Sequence, residues 1–266
     1  MTRIGAQVDK RLARGHFSRA ARSYNAWSEP QQRMAERLMA SLDAIERPES
    51  ILDIGCGTGI LTECLDSAYP NSRITAIDIA GGMIDECRRK WGKSKRVAFV
   101  VADAESLDLD EKFDLIVSNS CFQWLSNLQG AMQRIADHLR PSGLLAFSAT
   151  TRGTLQELWS SYAIATSGNA AGHRLPDLED YVRAVVRAEL TVETAREETI
   201  VLTYDKPKDV MDSVRGIGAT RAAARMEAGL NRSQLKAVIE TYLKHFSTED
   251  EGVACTYRVA YVRARR

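Results

Sequence analysis

The sequence predicts an open α/β fold: a doubly wound, mostly parallel seven-stranded sheet, with helices added before the first strand and inserted after the fifth. Three observations carry that prediction. Between Ser50 and Ser148, short apolar runs alternate with segments of helical periodicity, the pattern of parallel strands joined by crossover helices. The first run, Ile51 to Ile54, opens into Gly55-Cys56-Gly57-Thr58-Gly59, and glycines at alternate positions there turn a strand tightly into a helix. Beyond residue 150 the alternation breaks, and two strand-like segments stand among helical ones.

Taken in order, Phe17, Ala20, Ala21 and Tyr24 fall at helical spacing, as do Met34, Leu38, Leu42 and Ile45 after Pro30, a favoured first-turn residue. These two helices precede the first strand and are therefore additions to the core. Strands are expected at 51–54, 73–78, 97–101, 113–118 and 143–148, the last entered through the turn Pro141-Ser142-Gly143. Helices fill about 58–68, 82–91 and 128–139. Further helices are expected at 154–165, 177–188, 207–214 and 231–245, with strands at 199–204 and 254–262. The final strand alternates: Cys255, Tyr257, Val259 and Tyr261 share one face, Thr256, Arg258 and Ala260 the other. It reads as the antiparallel end of the sheet.

Composition narrows the chemistry. The 266 residues are 44% hydrophobic and 27% charged with a net charge of +1, ordinary for a globular chain and without a global pull toward nucleic acid or membrane. Residues 1–40 do carry eight Lys/Arg against three acids, either a local surface for an acidic partner or a solvated helix face. Five scattered cysteines form no C-x-x-C pair, and four histidines show no metal-ligand spacing. No metal is expected. No run approaches the ~20 apolar residues of a membrane span, and the N-terminus lacks an apolar signal core; a reducing cytoplasm fits.

In an open α/β sheet, ligands bind beyond the carboxyl ends of the strands, so those ends are where chemistry is expected. The loop after strand one is neither a phosphate-binding P-loop, which needs Gly-Lys-Ser/Thr, nor the dinucleotide pattern, since position 60 is Ile60. Strand two ends in Asp78, an acid able to accept both hydroxyls of a ribose; Ile79 and Met83 follow and either flank an adenine or pack in the core. Strand three ends in Ala102-Asp103-Ala104, and strand four in Asn119-Ser120-Cys121-Phe122-Gln123-Trp124.

Asp53-x-Gly55-x-Gly57-x-Gly59 resembles the first motif of the class I S-adenosylmethionine-dependent methyltransferases. The resemblance implies a Rossmann-like fold and S-adenosylmethionine as cofactor. It implies that Asp53, Gly55, Cys56, Gly57 and Gly59 hold the methionine end, that Asp78 takes the ribose, and that Asp103 and Ala104 meet the adenine, with Asn119 completing the site. Methyltransferases of exocyclic base amines carry two prolines where this chain has Ser120-Cys121, which speaks against a nucleic-acid acceptor. Asn119-x-x-x-Gln123-Trp124 is instead similar to a group that methylates carboxylates. Together with Phe17-Ser18-Arg19-Ala20-Ala21-Arg22-Ser23-Tyr24, Gly216-Ile217-Gly218-Ala219-Thr220 and, more loosely, Arg174-Leu175-Pro176, it resembles the malonyl-[acyl-carrier protein] O-methyltransferases of biotin synthesis over nearly the whole chain.

That resemblance implies one domain: a helical lid at 1–49, a cofactor-binding core at 50–150, a helical substrate cap at 151–190 and 205–246, and closing strands at 191–204 and 253–264. It implies an acyl carrier protein as partner, and a monomer is expected. A carboxylate is already ionised at neutral pH, so no general base is needed. Tyr24 is expected to fold over the cofactor and orient the carboxylate, Gln123 to donate to a carboxylate oxygen, and Trp124 to shield the methyl group; ordinary core packing is the alternative for each aromatic. Arg174, Arg215 and Arg221 are candidates to pair the substrate carboxylate or the carrier, and the sequence does not choose among them. A small free acid of the trans-aconitate type, or a quinone precursor, is the alternative acceptor.

Overall fold

The structure is a computed structural model that describes residues 10–42, 47–166, 175–219, 231–249 and 251–266. Seven strands form one sheet: β1 (Ser50–Ile54), β2 (Arg73–Asp78), β3 (Val97–Val101), β4 (Phe113–Asn119), β5 (Leu139–Thr150), β6 (Thr191–Tyr204) and β7 (Val253–Arg265), in the order β3-β2-β1-β4-β5-β7-β6. β1 through β5 pair in parallel, whereas β7 runs antiparallel to both β5 and β6. The strand opposed to the rest is therefore the penultimate one, not the edge.

Both faces of the sheet are covered, as apolar parallel strands require. On one face, α2 (Glu29–Ala40) lays Met34, Ala35 and Leu38 against Ile51, Leu115 and Val117. On the other, α5 (Leu128–Asp137) and α7 (Leu178–Arg187) bury Met132, Ile135, Tyr181 and Val185 against Leu52, Ile116 and Phe147. The crossover helices α3 (Ile60–Ala68) and α4 (Gly81–Trp91) follow β1 and β2. β7 alternates as expected, with Cys255, Tyr257, Val259 and Tyr261 in one core and Ala260, Val262 and Ala264 in the other. Its second face is buried too, apart from the exposed Arg258.

β5, β6 and β7 are longer than the sequence predicts, β7 running on to Arg265. β6 begins at Thr191 instead of residue 199, because its first half is polar and largely exposed. That half is held by its pairing with β7 and by ion pairs such as Arg263–Glu193 at 2.9 Å. β5 begins at Leu139, before the expected turn; a register shift against β4 between Phe113 and Leu115 takes up the irregular 141–143 stretch, with Ser142 at φ 64°.

The strand order reverses between β1 and β4, so the glycine loop and the Asn119–Trp124 segment leave the sheet side by side at the switch point. The remaining helices gather near that end. α1 (Lys10–Ala20) packs on α4, while α6 (Gln156–Ala165) packs on α9 (Arg232–Phe246) and α9 in turn on α8 (Pro207–Gly216). Space for α1 comes from glycine: a Cβ on Gly82 would lie 2.4 Å from the Ser18 carbonyl oxygen. Gly216 and Gly218, the glycines of the Gly-Ile-Gly motif, receive Trp27 and Phe17, since a Cβ at Gly216 would sit 2.2 Å from the Trp27 ring. The two most restrictive motifs of the sequence are thus one packing unit.

Candidate functional site

The glycine loop is built by β1 ending against β2: the amides of Gly55 and Cys56 both donate to the Ile77 carbonyl, at 2.8 and 3.0 Å. Gly55, Gly57 and Gly59 have φ of 70°, 56° and 85°, a region that glycine enters at little cost. Their reasons differ. A Cβ on Gly55 would collide with the Cys121 side chain at 2.4 Å, and one on Gly59 with the Trp91 ring at 2.6 Å, whereas one on Gly57 would meet nothing within 4 Å. Gly57 faces open space, and that space is a cavity at the switch point.

The cavity wall contains Gly55, Gly57, Asp78, Ile79, Met83, Asp103, Ala104, Asn119, Tyr24 and Trp124 among the residues singled out in the sequence. Asp53, Cys56 and Gly59 are not in it. Asp53 is fully buried behind the loop, its Oδ2 accepting from Thr62 Oγ1 at 2.6 Å while Oδ1 has no hydrogen-bond partner among the described residues. Burial raises its carboxyl to about 7, against the Thr62 hydrogen bond and with the charge of Asp78 adding to the rise. Asp78 accepts from the Gly57 amide at 3.0 Å and the Ala80 amide at 2.7 Å. Burial still lifts it to about 6, because those two amides offset only part of the desolvation.

Asp103 has a partner the sequence reading missed. Lys10 Nζ, at the start of α1, lies 2.7 Å from Asp103 Oδ2 and 3.0 Å from Glu105 Oε2, and Lys10 lines the cavity with both acids. Burial would lower the Lys10 pKa, but the two carboxylates outweigh it and the net shift is upward. Nothing in local pattern marks Lys10 apart from the basic character of residues 1–40. Asn119 lines the cavity with its amide already engaged: Oδ1 accepts from Ser148 Oγ at 2.5 Å, and Nδ2 donates to the Gln31 carbonyl at 2.9 Å. It ties β4 to β5 and α2, so its expected part in holding a ligand shrinks to shaping the wall.

A second cavity adjoins the first. Phe17, Tyr24, Ser120 and Trp124 belong to both walls, and Phe17 meets Trp124 edge-on at 5.3 Å and 81°. Its remaining described lining is Gln31, Gln123, Thr150, Thr154, Leu155, Trp159, Leu175, Val214, Ile217, Ala219 and Tyr257. No charged side chain stands among these. Tyr24 lies in a short turn between α1 and α2, fastened to the glycine loop by Thr58 Oγ1 donating to Asn25 Oδ1 at 2.5 Å. Burial, then Asp78 and Cys121, push the Tyr24 hydroxyl pKa upward, which keeps it a donor.

Three expectations need correction or lie out of reach. Gln123 is not poised to donate to a ligand: its Nε2 donates to the Ser120 carbonyl at 2.9 Å and Ser120 Oγ at 3.0 Å. Arg215 is in neither described wall and pairs with Asp212 at 3.0 Å on α8. Arg174 and Arg221 lie outside the described residues. Among the described residues no group of His, Cys, Asp or Glu could hold a metal, and no helix is long and apolar enough to cross a membrane.

Residues 51–143 match a family model described as a methyltransferase domain. The N-methyltransferase NodS from Bradyrhizobium japonicum, solved with S-adenosyl-L-homocysteine, superposes with a TM-score of 0.51 at 16% identity over 90% of this chain and 87% of that one. The cyclase SpnF gives 0.56 at 20% identity over 88% and 80%. Architecture alone therefore does not fix the reaction. Sheet order, strand-end acids and family model together define a class I methyltransferase. The malonyl-[acyl-carrier protein] O-methyltransferase of Geobacter sulfurreducens is 36% identical over 269 residues, covering 97% of this chain and 100% of the relative. The one from Acetivibrio thermocellus is 32% identical over 272 residues, covering 97% and 95%. The chain belongs to the malonyl-[acyl-carrier protein] O-methyltransferase family.

Proposed function

We propose that this enzyme transfers a methyl group from S-adenosylmethionine to the free carboxylate of a malonyl thioester on acyl carrier protein, giving the methyl ester that starts pimeloyl and biotin synthesis. The first cavity suits the cofactor. Asp78 and Asp103 offer carboxylates to a ribose and an adenine amino group, Ile79 and Met83 offer apolar walls, and the open face of Gly57 admits the methionine part. Asp53, buried behind the loop with its Oδ1 unpartnered among the described residues, adds negative charge behind the place where the ammonium end would lie. When bound, S-adenosylmethionine supplies an electrophilic sulfonium methyl carbon, which a carboxylate oxygen takes while the C–S electron pair stays on sulfur.

The observation that carries the acceptor assignment is the second cavity: apolar, joined to the first across Tyr24, Ser120 and Trp124, and without a charged group in its described lining. Sulfonium and carboxylate lose their charges on reaction, so a dry site with aromatic walls favours the encounter without holding the anion in a strong ion pair. Tyr24 and Trp124 close the junction and keep water from the methyl group. Alignment of the two reacting atoms can contribute roughly 7–11 kcal/mol in favourable cases. One carboxylate beside a neutral thioester suits this lining better than the three carboxylates of trans-aconitate. Labelled S-adenosylmethionine offered with malonyl-carrier protein, malonyl-coenzyme A and trans-aconitate side by side tests the assignment. Label should go to the malonyl thioesters, and exclusive labelling of trans-aconitate would overturn it.

A further inference from the structure

Ser120 stands where the two cavities meet. It follows the last residue of β4, lines both walls, and has φ 56°, a left-handed conformation that costs a non-glycine residue stability. Such strain persists only where the surroundings impose it. Here they do so from two sides: the Ser120 amide donates to the Ser148 carbonyl at 2.9 Å, and the Gln123 amide grips both the carbonyl and Oγ. Because Oγ accepts from Gln123, one of its two lone pairs is turned toward the protein and its own proton points elsewhere. That hydroxyl faces the junction of the two cavities, whose walls both include Ser120.

We infer that the Ser120 hydroxyl donates a hydrogen bond to the acceptor carboxylate and holds it at the junction, with Gln123 acting as the brace that aims it. The inference rests on the reading that the second cavity takes the acceptor. It assigns to Ser120 the donation expected of Gln123, and it accounts for both the strain and a described lining without a charged group. An arginine or lysine at this point would stabilise the ionised carboxylate most in the ground state, and that stabilisation would be lost as the charge disappears in transfer. A neutral hydroxyl orients the same oxygen with less of that penalty. The carboxylate oxygen not held by Ser120 forms the new O–CH₃ bond, the C–S bond breaks with its electron pair on sulfur, and no proton changes hands.

Two substitutions separate the hydroxyl from the backbone. Ser120→Ala removes the donor and keeps the strain; Ser120→Gly removes the donor and relieves it. Both should lower kcat/KM for a malonyl thioester by about ten- to hundredfold, the loss of one hydrogen bond to a charged group. Both should weaken malonyl-thioester binding to the S-adenosylhomocysteine-loaded protein in calorimetry, with S-adenosylhomocysteine affinity within about twofold of wild type. Ser120→Gly should nevertheless melt higher than Ser120→Ala. Wild-type kcat/KM in Ser120→Gly would overturn the inference and leave the turn geometry as the reason for Ser120. Failure of the unmodified enzyme to methylate any malonyl thioester would instead overturn the acceptor assignment on which it rests.

Discussion

At the scale of residues, the site is governed by carboxyl groups that the fold buries beside one another. Asp53 at about 7 and Asp78 at about 6 are both raised by burial from the ordinary value of about 3.9. The free protein therefore holds protons on these groups that its unfolded chain gives up, so its stability falls as pH rises through about 4 to 7. Binding runs the other way, because a ligand that donates to these acids needs them ionised. S-adenosylhomocysteine should bind more tightly as pH rises from about 5.5 to 7.5, releasing protons measurable by calorimetry in buffers of different ionisation enthalpy. A pH-independent affinity with no proton release would contradict the assignment of these acids. Tyr24 feels the charge of Asp78 as well, yet it stands between the cavities. Tyr24→Phe should lower turnover at least tenfold, with S-adenosylhomocysteine affinity largely kept; unchanged turnover would remove its hydroxyl from the mechanism.

At the scale of elements, α1 is the part that joins the two cavities. It rests on Gly82 of α4 and Gly218 after α8, sends Phe17 to both cavities, and begins at the wall of the first with Lys10 on Asp103 and Glu105. A half-exposed ion pair is worth little to stability, but one that spans a cavity mouth acts on the rate of escape. Lys10→Met should speed S-adenosylhomocysteine release several-fold at low salt and abolish its salt dependence, while Lys10→Arg behaves like wild type; stopped-flow displacement reads both. What the sequence discloses also differs by element. β1 to β4 and the glycine loop are legible because buried parallel strands are continuously apolar and a positive φ calls for glycine. The first half of β6 is not, since Glu193, Arg196, Glu197 and Glu198 give an edge strand no apolar signature. The bond from Lys10 to Asp103 joins residues 93 positions apart, and no local pattern encodes such a contact. The commitment of Gln123 to Ser120 was equally hidden, because it depends on a left-handed turn at a residue type that rarely adopts one.

At the scale of the molecule, a common methyl-donor sheet carries two additions, the N-terminal helices and the segments after β5, that meet over its carboxyl edge and make the second cavity. Gly216 and Gly218 receiving Trp27 and Phe17 show how closely these additions depend on one another. Family membership and this paired-cavity geometry support the proposed acceptor, a malonyl carboxylate on acyl carrier protein. The basic residues of the first forty positions suit such a partner. The most direct measurement is the intact mass of malonyl-acyl carrier protein after incubation with the enzyme and S-adenosylmethionine. The account predicts a gain of one methyl ester, removed by mild base and absent when acetyl-carrier protein, which has no free carboxylate, replaces the malonyl form. No gain on the malonyl form, or an equal gain on the acetyl form, would contradict it.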